Sequence, residues 1–300
     1  MNVEQQIEIF QACGSKCVRT DDIYWLIKNG VAISLPTLAD VYPRPKNIND
    51  LFAQGVKVIR FNTTGPWKPL ACEFVLDKHP YTLDVIHQKA RNQVRKGLER
   101  CVIKIPTESE LMERIVEIAR QTAERQGRKV SNDSSTYWQK YISKIYTMQD
   151  FYPYAAFVDG VMVAYVLVFA IEEKIVLYHP FMDREYSKHY PMNALIFTAI
   201  NETRDRIGPL PVSYGFSSIW DIEALDHFKL GMGFEKKYRL RITLLSRPLR
   251  YLINHQFAHI INFTPVISKK YGKRYQRLIE EKELGMKWWK NATTDQDTRA

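Results

Sequence analysis

Apolar residues recur at helical spacing over Val3–Ala12, then at strand spacing over Ile23–Ile27 and Val31–Leu35. Those two strands are joined by Lys28-Asn29-Gly30, and Asn-Gly predicts a tight hairpin because both residues accept positive φ. A helix over Asn47–Gln54 stops at Gly55, and strands Val56–Asn62 and Leu70–Leu76 follow. Leu83, Ile86, Ala90, Val94 and Leu98 make one apolar face of a helix whose other side is basic. A short strand, Val102–Ile105, precedes Thr107, which with Glu110 three residues on forms a capping box for a helix reaching Gln126. A polar loop over Ser131–Ser135 then leads to a helix over Thr136–Thr147.

From Phe151 the strands lengthen. Tyr154–Val158 and Val161–Ile171 flank Asp159-Gly160, a second hairpin turn, and Lys174–Phe181 follows as a third strand. Pro191 opens a helix that Gly208 closes, Val212–Gly215 is a short strand, Ile222–Leu230 a helix and Phe234–Leu245 a last long strand. Beyond Arg247 the chain predicts basic, aromatic-rich helices broken at Pro248, Pro265 and Gly272. This pattern divides the chain into an N-terminal α/β lobe (1–150) with a basic linking helix (83–99), a β-β-β-α-β-α-β lobe (151–246) and a helical tail (247–300).

Composition adds little to that picture and charge adds more. Hydrophobic content of 45% and charged content of 25% are those of an ordinary globular chain. No apolar run reaches the roughly 20 residues of a membrane span, and the acidic N-terminal stretch lacks the pattern of a secretion signal, so a cytoplasmic protein is expected. Cys13, Cys17, Cys72 and Cys101 are too few and scattered for a disulfide framework, and neither they nor the histidines have metal-ligand spacing. The net charge of +10 is concentrated. Residues 247–290 hold ten Lys or Arg against three Glu, and residues 89–104 hold six against Glu99. Such runs suit anionic partners such as tRNA or an anionic surface, although a solvated helix face explains them equally simply. Aromatic residues among the tail cations (Tyr251, Phe257, Phe263, Tyr271, Tyr275, Trp288, Trp289) either pack helices onto a core or meet bases or lipid.

The element order after Phe151, with Asp159–Ala164 as a hairpin arm and His227-Phe228-Lys229-Leu230-Gly231-Met232-Gly233-Phe234 closing a helix, resembles the GNAT acyltransferase fold. Phe228, Lys229 and Gly233, with Tyr214-Gly215 and Arg91-x-x-x-Arg95-Lys96-Gly97-Leu98, are similar to the FemAB-like branch, which joins two GNAT-like lobes. The resemblance implies a mixed α/β (α+β) sheet with a second, partial GNAT-like lobe before it. It also implies N-acyl transfer to an amine acceptor, a small molecule or a peptide, from acyl-CoA or, as the alternative, from aminoacyl-tRNA. A family member that uses CoA places glycines before its third helix, where backbone N–H groups meet the pyrophosphate. Here Tyr190 and Met192 occupy the glycine positions and Pro191 has no N–H. Lys188 and His189, with the N–H groups of Met192, Asn193 and Ala194 pointing outward, are the residues left to hold such a donor.

For the chemistry itself, Lys229 falls where the resemblance places a functional residue, and a cation there can stabilise an oxyanion. The competing reading is a lysine that merely complements a helix C-terminus. His179 and Tyr178 end the third strand, where alternation sends them to opposite faces and one of them to the cleft. Either can equally be a packed strand residue. Tyr214 and Ser217 follow the short strand on the acceptor side, and Arg95 and Lys96 form a basic face for a phosphorylated or nucleic-acid substrate. A non-catalytic protein holding RNA or an anionic membrane in a degenerate cleft is the reading from a different class.

Overall fold

The computed structural model describes residues 1–125, 134–171, 173–217, 223–253 and 265–297; side chains are described except at 134, 265–275 and 295–297. Two compact units contain them. The first holds Met1–Cys13, Glu73–Ser217 and residues 223–237, and the second holds Gly14–Cys72 and the chain from Tyr238 onward. The units are therefore interleaved along the chain, where the sequence pattern suggested consecutive segments at 1–150, 151–246 and 247–300.

Six strands form the sheet of the first unit: β5 (Ala71–Leu76), β6 (Val102–Lys104), β7 (Phe151–Val158), β8 (Val161–Ile171), β9 (Lys174–Met182) and β10 (Val212–Phe216). Their spatial order is β5-β10-β9-β8-β7-β6. The reason the unit outgrows residues 151–246 is edge pairing. β6 adds antiparallel to β7, and β5 adds antiparallel to β10, so both margins of the predicted lobe are extended by earlier strands. Helices α1 (Val3–Ala12), α3 (Gln88–Arg100), α4 (Glu108–Arg125), α5 (Ser134–Ile145), α6 (Pro191–Ile207) and α7 (Glu223–Gly231) complete it. The Asp159-Gly160 hairpin forms as its sequence predicts, with both residues at positive φ and Val158 opposite Val161. The capping box also forms: Thr107 Oγ1 accepts from the Glu110 N–H, and Glu110 Oε2 accepts from the Thr107 N–H.

The second unit carries β1 (Lys16–Thr20), β2 (Ile23–Lys28), β3 (Val31–Leu35), β4 (Val58–Thr63) and the paired part of β11 (Glu235–Leu245), with α2 (Pro45–Ala53) crossing between the parallel strands β3 and β4. β1 is absent from the sequence pattern because Lys16–Thr20 has one large apolar residue, Val18, and so no alternation to read. Helix α8 (Arg247–Leu252) follows, then α9 (Pro265–Asp297), which runs unbroken through Gly272 where a break was expected.

Helix α9 docks through a second glycine. A Cβ on Gly285 would overlap the Thr243 carbonyl oxygen of β11, while Leu284 and Trp288 enter the core with Trp25, Phe61 and Ile242. Trp288 meets Phe61 edge-on at 5.0 Å. One tail aromatic is thus core; Trp289 is half-buried, Tyr251 is exposed, and the side chains of Phe257, Phe263, Tyr271 and Tyr275 lie outside the described residues. Because the overlap at Gly285 is with backbone, Gly285→Ala is expected to cost about 2 kcal/mol despite alanine's better helix propensity. Urea unfolding reads that as a lower midpoint at unchanged slope.

Candidate functional site

The site lies where β9 and β10 separate. These parallel neighbours pair at Val212↔Ile175 and Ser213↔Val176 and no further, although β9 continues to Met182 and β10 to Phe216. Each strand is bent immediately beyond the last pair. On β9 the register against β8 shifts between Leu167↔Tyr178 and Tyr165↔Phe181, and His179 takes a left-handed φ of 50°. On β10 the register against β5 shifts between Ser213 and Phe216, with Gly215 at φ 78°. Glycine adopts that geometry freely, whereas a left-handed histidine costs about 1 kcal/mol. Paired bulges of this kind aim strands apart and leave ladder groups unpaired, and they concentrate beside active sites.

The bulge also overturns the alternation argument for Tyr178 and His179. The expected opposite faces do not occur, because the left-handed residue resets the pleat. Both side chains are half-buried and border one cavity of about 190 Å³. His179 sits among rings, edge-on to Trp138 at 5.2 Å and beside Phe181 at 5.4 Å. Burial pushes the Tyr137 phenol of that cavity up to about 12 and raises Tyr141 further, with neighbouring Tyr137 and Tyr178 adding to the effect.

Lys229 occupies the β10 side of the opening. Its side chain is buried (2% exposed), unlike a lysine that serves only a helix terminus. The ammonium stands 4.4 Å from the Phe74 ring centroid and 5.0 Å from that of Tyr214, and it donates to the Phe216 carbonyl at 3.5 Å. A buried charge is costly unless compensated, and two desolvated ring faces offer about 2 kcal/mol or more each. Tyr214 is itself buried, its phenol raised by desolvation, so the cage stays neutral. Ser217, half-buried, follows β10.

The start of α6 differs from expectation. Tyr190 adopts the left-handed conformation, φ 55°, that a glycine would supply, so the backbone bend is kept. Its surface is not. A Cβ on Gly97 of α3 would stand 2.6 Å from the Tyr190 carbonyl oxygen and 2.9 Å from the Ala194 Cβ, so α3 lies directly on this helix start. Met192, Asn193 and Ala194 are buried, and the Asn193 amide donates inward to Gln93 Oε1 and Met232 Sδ. The Ala194 N–H is spent on the Tyr190 carbonyl at 3.4 Å. The Ala194 N–H is therefore spent within the helix, and all three residues are buried at a helix start that α3 approaches closely through Gly97. Lys188 is exposed and His189 half-buried; their carbonyls accept from Arg100 Nη1 and Cys101 Sγ.

Arg95 and Lys96 are exposed on α3 with Lys89, while Arg91 pairs with Asp84 at 3.4 Å. In the second unit, Arg247, Arg250 and Lys282 line a separate cavity of about 570 Å³ with Phe52 and Trp289. Arg277 is engaged internally, with Glu281 at 3.7 Å and the Leu70 carbonyl at 3.3 Å, so the tail charge is partly structural. Among the described residues no helix is long and apolar enough to cross a membrane.

A family model described as an acetyltransferase (GNAT) domain matches residues 86–208, which carry α3 through α6 and strands β6 to β9. Residues 86–208 thus match a GNAT domain. The match starts about 65 residues before the lobe expected at 151–246, at the basic helix taken for a linker. Among solved structures the chain is similar to FemX, at 13% identity over 83% of this chain and 93% of that one, with a TM-score of 0.59. It is also similar to the C-terminal domain of a putative lysylphosphatidylglycerol synthetase from Agrobacterium fabrum, at 11% identity over 79% and 86%, with a TM-score of 0.54. The L-PGS of Bacillus licheniformis gives 12% over 89% and 96%, with a TM-score of 0.50. At such identities the likeness speaks of the fold. No curated protein matches the chain.

Residues that sequence reasoning missed are Phe74 and Gln6. Phe74 lies on a strand far upstream of the predicted lobe, and only the pairing of β5 with β10 brings it to Lys229.

Proposed function

We propose that this GNAT protein transfers an acyl group from an ester donor, an aminoacyl-tRNA, to a primary amine on a small molecule or peptide. The observation that carries the reading is the buried Lys229 ammonium, held by Phe74 and by Tyr214 and the Phe216 carbonyl, which lie on the part of β10 beyond its last pair with β9. The amine nitrogen bonds to the ester carbonyl carbon, the carbon–oxygen ester bond breaks, and the proton lost by nitrogen ends on the leaving hydroxyl. Lys229 stabilises the oxyanion formed between these events, and His179, directly or through water, receives the amine proton.

Of the two donors, the geometry of α6 favours aminoacyl-tRNA over acyl-CoA. The pyrophosphate of a CoA needs outward N–H groups, and here α3 covers that helix start. The cations left exposed, Lys89, Arg95 and Lys96, form a surface strip suited to a polyanionic backbone. Such a donor belongs to the cytoplasm. Similarity to a protein titled a lysylphosphatidylglycerol synthetase is compatible with this reading.

Transfer from charged tRNA to an amine, followed as amide product and deacylated tRNA, tests the proposal. Arg95→Glu with Lys96→Glu is expected to weaken tRNA binding at least tenfold and to make the salt dependence shallower by about two. Thiol release from an acyl-CoA at equal or better kcat/KM, indifferent to that double substitution, would replace the donor. Salt-dependent tRNA binding without transfer to any amine would support the binding-protein reading instead.

A further inference from the structure

The 190 Å³ cavity beside the bulge is walled by α1 (Gln6, Phe10), α5 (Tyr137, Tyr141) and the end of β9 (Tyr178, His179), among others. Its size is informative: a cavity of roughly 150 Å³ accommodates benzene, so this one takes a group of about six to eight heavy atoms. None of the described residues lining it is Asp, Glu, Lys or Arg, and burial raises the phenols of Tyr137 and Tyr141. The Met1 α-ammonium at its wall is already paired with Asp150 at 2.7 Å, so the lining favours a neutral group.

Among the polar groups of the lining, Gln6 stands out. Gln6 is 4% exposed, and its Nε2 has no hydrogen-bond partner among the described residues. An unmade hydrogen bond on a buried amide costs about 1–3 kcal/mol, which makes a donor of this kind a marker for a missing acceptor. It shares the face of α1 with Ile9 and Phe10, three and four residues on, which places it in the cavity wall rather than in solvent. Tyr178 lies two residues past Val176, the last β9 position paired with β10, roughly 7 Å along the strand. The cavity and the reaction opening thus share a border.

We propose that this cavity receives the variable part of the transferred acyl unit: a neutral, largely apolar group of about six to eight heavy atoms whose oxygen accepts from Gln6 Nε2. The role of the group rests on the transferase reading; occupancy of the cavity does not. Selection works by the cost of leaving Gln6 unpaired, so a hydrocarbon of the same shape is disfavoured relative to its oxygen-bearing isostere.

The isosteric probes p-cresol and p-xylene test this by NMR titration of the full chain. Replacing Gln6 with Leu removes the donor at similar volume. The p-cresol to p-xylene affinity ratio is expected to fall about tenfold in Gln6→Leu, the value of one hydrogen bond. An unchanged ratio, or no binding of either probe to the wild type at millimolar concentration, overturns the proposal. Should Gln6→Leu fail to fold, Gln6→Met makes the same comparison. In transfer assays p-cresol is expected to compete with the donor; binding without competition overturns the assignment to the acyl unit. Failure of the underlying reading looks different: probes then bind with the Gln6-dependent ratio, yet no amide product forms from any donor.

Discussion

Replacing Lys229 with Met is expected to lower kcat about 10²- to 10³-fold, the usual loss on removing one oxyanion donor, while leaving the melting temperature unchanged or raised. The two halves of that result come from the same burial. An ammonium at 2% exposure has given up its hydration for two aromatic faces and a carbonyl. Exchange of a buried charge for an apolar side chain of similar length is often neutral or stabilising, because the desolvation cost disappears with the charge. A lysine retained only for structure gives the opposite pair, with melting temperature falling and turnover intact. Measuring kcat and thermal unfolding on the same Lys229→Met preparation separates the two. Lys229→Arg sharpens the comparison: it keeps the charge, but a planar guanidinium cannot take the place of a compact ammonium between Phe74 and Tyr214 without moving them. Its turnover is expected to stay low.

Lys229 could be singled out as a candidate from the sequence through local spacing. Its distance to Gly233-Phe234 is set within one helix and turn, where chain order and spatial order agree. The Asn29-Gly30 and Asp159-Gly160 hairpins and the Pro191-to-Gly208 helix were visible for the same reason, each marked by residues with strong backbone preferences. What escaped was non-local. Nothing in Ala71–Leu76 announces that it will pair with β10, some 140 residues later, so Phe74 could not be placed in the site. The bulge escaped because histidine, not glycine, carries the positive φ, and alternation then misplaces Tyr178 and His179. Gly97 reads as a weak point in a basic helix, yet its missing side chain lets α3 close over the start of α6 and changes which donor the site suits. Gln6 did leave a trace, since its spacing to Ile9 and Phe10 puts it on the apolar face of α1.

The largest stability loss is expected at Arg204, a residue the chemistry never touches. Its guanidinium is buried and donates to three backbone carbonyls, Lys78 at 2.7 Å, Leu76 at 3.0 Å and Leu210 at 3.1 Å. Desolvation lowers its pKa from the ordinary arginine value, the expected consequence of burying a charged clasp. The clasp ties the end of α6 to the end of β5 and to Leu210, two residues before β10. Those are the strands that present Phe74 and Tyr214 to Lys229. Arg204→Met keeps much of the volume but strands one buried and two part-buried carbonyl acceptors, which together cost about 3–5 kcal/mol when left unsatisfied. For a chain of this length that corresponds to a melting temperature lower by roughly 10 °C. Arg204→Lys restores the charge yet cannot reach three diverging carbonyls with one nitrogen, so it is expected to recover only part of the loss. If Arg204→Met melts within about 2 °C of the wild type, water has replaced the clasp, and β5 is held against β10 by its ladder alone.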